Sequence, residues 1–390
     1  MELPGIYGES SAQTANYARF DVEFVRGEGV HLYDASGAEY LDFLCGLGVT
    51  SLGHCHPAVV EAIERRSREL IHTSNLFWSS PAEELARRLT AASFASNVFF
   101  CNSGAEANEA AIKLARAHAV AQGSNAREIV VLERAFHGRT MGALSATPQE
   151  DKQAPFTPLV HGFRTAPNDD ADAVAAAVTP QTCAVMLEPV QGEGGVFPIP
   201  DAVLVAAREA CDAVGALLIF DEVQCGLGRT GSLFAYQQTS VVPDVMTLAK
   251  ALGGGLPIGA MLAGEGCTDA LQPGYHGSTF GGNPVTCAAA CAAFELLSDD
   301  ELLEHVRGLG ELLRGRLDEY GPVAGRGLML GVELGDDVDA RDVVKHMLFE
   351  GRVIANSTGP STLRFLPPFV ASAGDVDRAI AALDSALSAI

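Results

Sequence analysis

Residues 216–255, ALLIFDEVQCGLGRTGSLFAYQQTSVVPDVMTLAKALGGG, decide the fold. A first apolar run, ALLIF at 216–220, ends in Asp221-Glu222-Val223-Gln224. A second, VMTLA at 245–249, ends in Lys250 before a run of glycines. Strands that are apolar at every position, rather than at every second one, suit a parallel sheet covered on both faces. Open α/β sheets bind ligands at the carboxyl ends of their strands, so an acid and an amine are expected to face one crevice.

The chain holds only four lysines, Lys113, Lys152, Lys250 and Lys345. Lys113 follows Glu109 at helical spacing, Lys152 sits in a polar loop and Lys345 on a charged helix face, all places for solvated side chains. Lys250 differs. An amine at the end of an apolar strand must find an anion, reach water or lose its charge, and a desolvated amine is the kind that forms Schiff bases. A structural ion pair and a reactive amine both satisfy the position.

Outward from this stretch, 390 residues with 48% hydrophobic content are enough for two domains, or one large domain with an appendage. A net charge of −23 offers no counter-charge to nucleic acid or to an anionic membrane, so neither is expected as a partner. The first thirty residues lack a basic segment followed by an apolar core, and no apolar run reaches a membrane-spanning length, which points to the cytoplasm. The nine cysteines are scattered without a CxxC and read as reduced thiols. His54-Cys55-His56 precedes Pro57 at a helix start and lacks zinc-ligand spacing, so no metal is expected.

Helical and extended patterns alternate as a doubly wound fold requires. Residues 30–48 read as a hairpin with Ser36-Gly37 near its turn; Pro57–Ile71 and Pro81–Ala92 read as helices opened by proline. The strand Asn97–Cys101 leads into Asn102-Ser103-Gly104-Ala105-Glu106 and a helix to about His118. Ser103 with Glu106 three residues later is a capping-box pattern, and a capped helix N-terminus also offers free N–H groups to a phosphate. Strands are expected at Glu128–Leu132, Cys183–Leu187, Ala216–Phe220, Val245–Leu248 and Ile258–Leu262, making a sheet of six or more. In the C-terminal third, Glu301–Tyr320 reads as an amphipathic helix, Gly327–Leu334 as a strand, and Ala340–Glu350 and Asp375–Leu387 as helices.

Two motifs compete for the acid. LLIFDE has the form of an ATPase magnesium strand, but no GxxxxGK[ST] accompanies it. Gly226-Leu227-Gly228-Arg229-Thr230-Gly231 is a formal GxGxxG, which keeps a nicotinamide-dependent dehydrogenase as the alternative of a different class. Asp221 and Glu222 intervene between its strand and glycines, and no amphipathic helix opens there. Asp221 better fits a pyridine nitrogen, which needs a carboxylate to stay protonated. Pyridoxal phosphate needs an amine for its aldehyde, an acid for its ring nitrogen, a helix terminus for its phosphate and an apolar face for its ring; each has a candidate here.

Six ordered blocks then show a resemblance: NSGAEANEAAIKLAR at 102–116, FHGRT at 136–140, EPVQGEGG at 188–195, LIFDEVQCGLGRTG at 218–231, TLAKALGGGLPIGA at 247–260 and GSTFGGNP at 277–284. Over nearly its whole length the chain resembles the class III pyridoxal phosphate aminotransferases, and among them the acetylornithine branch. The resemblance implies a fold type I α/β architecture, with a large, mostly parallel sheet domain at 49–285. A smaller α+β domain at 286–390 would be joined by an N-terminal segment, 1–48, so that both chain ends build it.

Carried over, the resemblance implies that Lys250 bonds the cofactor aldehyde and, once displaced, shuttles the proton between substrate carbon and cofactor. Asp221 would pair with the ring nitrogen, Val223 pack on the ring, Gln224 hydrogen-bond its phenolic oxygen and Phe136 stack on the opposite face. Gly104 and Ala105 would donate to phosphate, with Ser103 and Glu222 in the same cofactor site. Ala105 stands where threonine is usual, which leaves only the backbone donor, and Cys225 likewise replaces a more usual threonine. Ser278 and Thr279 would reach the neighbouring subunit's site, making the working unit a homodimer.

Arg364, between apolar neighbours in TLRFL, needs a carboxylate, and its bidentate fork suits a substrate α-carboxylate; Glu193 is the internal substitute, and structural pairing is the alternative. The family match assigns Arg364 to 2-oxoglutarate or glutamate and Arg139 to the donor's carboxylate. The implied reaction takes N2-acetylornithine and 2-oxoglutarate to N-acetylglutamate 5-semialdehyde and glutamate, within arginine biosynthesis. Ornithine, succinylornithine, 4-aminobutyrate or a carrier-linked lysine precursor are alternative donors.

Overall fold

The computed structural model describes residues 12–335 and 337–390; residues 1–11 of the expected N-terminal segment lie outside them. The run at 216–220 forms the strand Leu217–Asp221, buried at every position. Its side chains alternate between two cores. Leu218 and Phe220 join one with Val185, Leu187 and Met246, whereas Leu217 and Ile219 join the other with Val131, Met186 and Val245. A strand of period two thus has no polar face, because helix Asp201–Val214 covers one side and helix Gly104–Ala121 the other.

The large sheet has seven strands in the order Asn97–Cys101, Gly259–Ala263, Val245–Leu248, Leu217–Asp221, Thr182–Leu187, Glu128–Leu132, Phe163–Ala166. Gly259–Ala263 is antiparallel to both neighbours, and the other pairings are parallel. Asp221 stands beside Thr247 in register, so the acid and Lys250, three residues beyond Thr247, leave the sheet at the same edge. The edge strand Phe163–Ala166 escapes the sequence pattern, because an exposed edge carries polar residues such as Arg164 and Thr165 instead of an apolar run.

The two chain ends share a small sheet ordered Phe24–Glu28, His31–Asp34, Glu39–Asp42, Val353–Ile354, the last pair parallel. The expected hairpin turns at Gly37, whose φ is +86°. The strand expected at Gly327–Leu334 is present as Met329–Glu333, and it pairs in a hairpin with a strand the pattern did not show, Val323–Arg326. Gly327 makes the turn at φ +53°, where an added Cβ would meet the Thr230 carbonyl carbon at 2.6 Å. Helices end within a few residues of expectation: Pro57–Glu69, Ser80–Ala91, Gly104–Ala121, Asp300–Leu317, Ala340–Phe349 and Ala373–Ala389.

The rejected motifs have structural duties. His54 Nε2 lies 2.7 Å from Asp42 Oδ2, His56 caps the helix Pro57–Glu69, and Cys55 is exposed. In the glycine loop 226–231, Arg229 is buried and donates to the Leu328 and Pro367 carbonyls and to Ser51 Oγ, pinning the loop to the C-terminal elements. No helix among the described residues is long and apolar enough to cross a membrane.

Candidate active site

The carboxyl edge of the sheet opens into a cavity of about 460 Å³ lined by Gly104, Ala105, Phe136, Asp221, Val223 and Lys250, among others. That volume lies in the range of small-molecule sites. Lys250 follows the strand Val245–Leu248 at φ +44°, a left-handed backbone that a non-glycine residue adopts only when its surroundings impose it. Burial pushes its ammonium below the usual lysine value, and the opposing pull of Glu193 does not cancel this. It makes no ion pair within 4.0 Å among the described residues, so the structural-pair alternative has no partner here.

Asp221, 3% exposed, accepts three hydrogen bonds: from Val223 N at 3.0 Å on Oδ1, and from Asn108 Nδ2 and His137 Nδ1, both at 2.7 Å, on Oδ2. Burial alone would lower the His137 pKa, but the hydrogen bond and charge of Asp221, with Glu188 beyond, raise it. Glu188, from the end of the neighbouring strand, accepts from Phe136 N at 3.0 Å; burial pushes its carboxyl up to about 8 against the pull of His137.

The helix N-terminus at Gly104 is capped as expected by Ser103 Oγ, which accepts from Glu106 N at 3.2 Å. The Glu106 carboxylate reaches past the cap to Asn102 N at 2.5 Å, one residue earlier than a capping box requires. The first N–H groups of the helix have no carbonyl of their own turn to bond and line the cavity instead. The turn is pressed against the cavity wall: a Cβ on Gly104 would meet Val223 Cγ1 at 2.7 Å, and one on Gly138 would meet Ala105 Cβ at 2.7 Å.

Two guanidinium groups flank this arrangement in opposite states. Arg139 is exposed at the cavity and lies over the Phe136 ring at 5.4 Å. Arg364 is fully buried on the strand Thr362–Phe365. Its Nη1 donates to Glu193 Oε1 and the Gly192 carbonyl, each at 2.8 Å, and to Gln224 Oε1 at 3.1 Å, while Nε donates to Asn356 Oδ1 at 3.0 Å. Its Nη2 is buried without a partner. Burial raises the Glu193 carboxyl, but the charges of Arg364 and Lys250 outweigh it and hold the group below its ordinary value.

The family model for class III aminotransferases matches residues 12–387. The chain belongs to the class III aminotransferases. It is 46% identical to acetylornithine aminotransferase from Methanocaldococcus jannaschii over 382 residues, covering 96% of this chain and 95% of that one. A solved N-acetylornithine aminotransferase from Stenotrophomonas maltophilia is 39% identical with a TM-score of 0.83, covering 96% of this chain and 97% of that one. An ornithine aminotransferase from Toxoplasma gondii is 35% identical with a TM-score of 0.91, covering 96% and 92%.

The cofactor of this class III aminotransferase is pyridoxal 5'-phosphate, and the cavity fits it on its own chemistry. An unpaired amine, an acid held by three donors, free helix N–H groups and apolar walls from Phe136 and Val223 surround one space. Of the residues assigned to it by sequence, Ser103, Gly104, Ala105, Phe136, Asp221, Val223, Gln224 and Lys250 line that space, as do Arg139 and Glu193. Glu222 does not. Its side chain turns inward, 0% exposed, and accepts from Ala235 N at 2.5 Å and Tyr236 N at 2.7 Å, because alternation sends the residue after Asp221 to the opposite side. Burial pushes its carboxyl up to about 8.

Glu222→Ala in this aminotransferase is therefore expected to lower unfolding stability by about 2–4 kcal/mol, the cost of stranding two buried donors. Cofactor affinity should change less than threefold, as thermal unfolding and cofactor titration will check. Ser278 and Thr279 also lie off the chain's own cavity: Thr279 is exposed, and Ser278 Oγ accepts from Asn102 Nδ2 at 3.2 Å. Asn108, His137 and Glu188 were missed as site residues. One signal was available, since Glu188 ends an apolar strand as Asp221 does.

Proposed function

We propose that the chain transfers the terminal amine of N2-acetylornithine to 2-oxoglutarate. The observation that carries this reading is a pair of guanidinium groups, Arg139 open in the cavity lining and Arg364 buried behind it, bonded to the lining residues Glu193 at 2.8 Å and Gln224 at 3.1 Å. A carboxylate at the far end of the donor meets Arg139 while Glu193 stays in place. The α-carboxylate of glutamate or 2-oxoglutarate takes the place of Glu193 on Arg364 and engages the unpartnered Nη2.

The acetyl group follows from the charges. The lining carboxylates are already committed: Asp221 to His137 and Asn108, Glu193 to Arg364, and Glu188 to the Phe136 amide with its proton held up to about pH 8. None is free for a second ammonium. A donor whose α-amine is acylated suits this cavity better than ornithine, whose free α-ammonium would enter it unpaired.

Pyridoxal phosphate, when bound, supplies an aldehyde that holds the substrate nitrogen and a ring that accepts electron density from the substrate carbon. Lys250 Nζ would hold the cofactor at rest and, once free, would take the proton from the substrate carbon, a role that suits an amine whose ammonium form is disfavoured by burial. Asp221 would keep the ring nitrogen charged, and Phe136 and Val223 would hold the ring plane. Gln224, bridging Glu193 and Arg364, would be the residue to hydrogen-bond the ring's oxygen substituent. The same proposal places the enzyme in the cytoplasm as a homodimer whose exposed Thr279 reaches the partner's phosphate site while Ser278 lies near the partner's substrate, and divides the chain at residues 48 and 285.

A panel of ω-amino donors with 2-oxoglutarate tests the reaction: N2-acetylornithine should be the best substrate, and ornithine equal to it would overturn the argument from charge. Removing one partner of a buried charge pair costs about 2–5 kcal/mol, enough to raise a dissociation constant more than tenfold. Arg364→Ala should thus injure mainly the glutamate half-reaction, and Arg139→Ala mainly the acetylornithine half, read separately by single-turnover spectroscopy. Equal losses in both halves for Arg364→Ala, with fold and cofactor intact, would make that arginine structural.

A further inference from the structure

Asp221 is gripped by a chain of hydrogen bonds that begins on the neighbouring strand. Thr247, its register partner, is fully buried, and its Oγ1 donates to Asn108 Oδ1 at 2.7 Å. That bond settles which way the amide points. With Oδ1 engaged, Nδ2 must face the Asp221 carboxylate, at 2.7 Å, and the His137 carbonyl, at 2.6 Å. His137 is anchored in turn by its own N–H, which donates to Thr147 Oγ1 at 2.9 Å, and its Nδ1 reaches the same Asp221 oxygen as Asn108.

The imidazole is 1% exposed, and its other nitrogen, Nε2, is buried without a partner. An orphaned buried nitrogen costs stability that an apolar side chain would not. What offsets it is the work of Nδ1. We propose that Thr247, Asn108 and His137 are positioning residues that together hold Asp221 as an ionised carboxylate in one orientation toward the cofactor's ring nitrogen.

The physical reason is the donor count. Two donors on Oδ2 and one on Oδ1 fix the plane of the carboxylate and leave Oδ1 a lone pair for one further donor. The ring nitrogen therefore meets an anion already fixed in place, without reorganisation during turnover. Asp221 from the central strand and Glu188 from the strand beside it are the titratable groups facing His137, with Lys250 across the same cavity. Burial works against a charged His137 ring while the hydrogen bond and charge of Asp221 work for it, and the geometry makes Nδ1 the atom that meets the carboxylate.

This inference rests on the reading of Asp221 as the ring-nitrogen partner, and the test separates the two. In cofactor-loaded protein, His137→Phe removes the donor, His137→Gln moves an amide toward the Nε2 position, and His137→Asn keeps one near Nδ1. Phe and Gln should weaken cofactor binding and slow the half-reaction by about tenfold or more, the scale of one hydrogen bond to a charged group, and should shift the pH titration of the bound cofactor's absorption. Asn should recover most of the loss. Thr247→Val, which never touches the cavity, should give a smaller shift of the same kind, and Thr247→Ser should restore it. Should His137→Phe fail to fold, the Thr247 pair decides: an unshifted titration in Thr247→Val overturns the relay. A His137→Phe protein with lowered unfolding temperature but unchanged titration and cofactor affinity overturns it as well. If Asp221→Ala itself leaves the titration and half-reaction untouched, the ring-nitrogen reading fails first.

Discussion

Lys250→Ala should leave a folded protein that no longer holds cofactor through a borohydride-reducible bond and that turns over at least ~10³-fold more slowly, the scale of a lost proton-transfer group. The wild type should be yellow and should lose that colour on reduction. No other lysine can substitute: Lys113 bonds the Tyr275 carbonyl and His276 at the surface, Lys152 turns to Gln149, and Lys345 pairs with Asp342. The strain at φ +44° makes a second expectation. Lys250→Gly, which is unstrained there, should be at least as stable as the alanine variant while equally inactive. Retained activity in either variant, with absorbance changes that depend on nicotinamide, would end the aminotransferase reading.

Asp221→Ala carries the second large effect. Removing the carboxylate strands Asn108 Nδ2, His137 Nδ1 and Val223 N, and it leaves the ring nitrogen without the charge that keeps it protonated. The half-reaction rate should fall by about 10²–10⁴-fold, while cofactor affinity, shared with Lys250 and the helix N-terminus, falls less. Stopped-flow spectra of the half-reaction and equilibrium dialysis separate the two. Asp221→Asn is informative beside it: it keeps the shape but places an N–H where donors already converge, so its rate should lie near that of alanine. Wild-type rate and occupancy in Asp221→Ala would remove this residue from the site.

Much of this was legible in the chain itself. The apolar runs at 216–220 and 245–249 announced buried strands because parallel strands covered on both faces have no polar positions to interrupt them. Their C-terminal residues, Asp221 and Lys250, then had to meet at one edge, and the cap at Ser103 marked a free helix N-terminus. Wherever a local rule governs, whether strand burial, capping or proline at a helix start, the reading and the structure agree within a few residues.

The misreadings share a different physical origin. Glu222 beside Asp221 was placed at the cofactor because proximity in sequence stood in for direction, whereas the strand sends neighbours to opposite sides and Glu222 to the amides of Ala235 and Tyr236. The edge strand Phe163–Ala166 and the hairpin at Gly327 depend on what lies next to them, an outer position in the sheet and the Thr230 backbone.

The sequence by itself determined the sheet's buried strands, the residues that end them and the family of chemistry they serve, since burial, charge and caps act over a few neighbouring residues. Only the tertiary structure decided how those residues are held. Asn108, His137 and Thr247 lie between 26 and 113 positions from Asp221, yet meet around one carboxylate at 2.7 Å, either directly or through one amide. Glu193 masks Arg364 from 171 positions away. A hydrogen bond depends on distances of a few tenths of an ångström between atoms brought together by the whole packed core, and no local pattern encodes that.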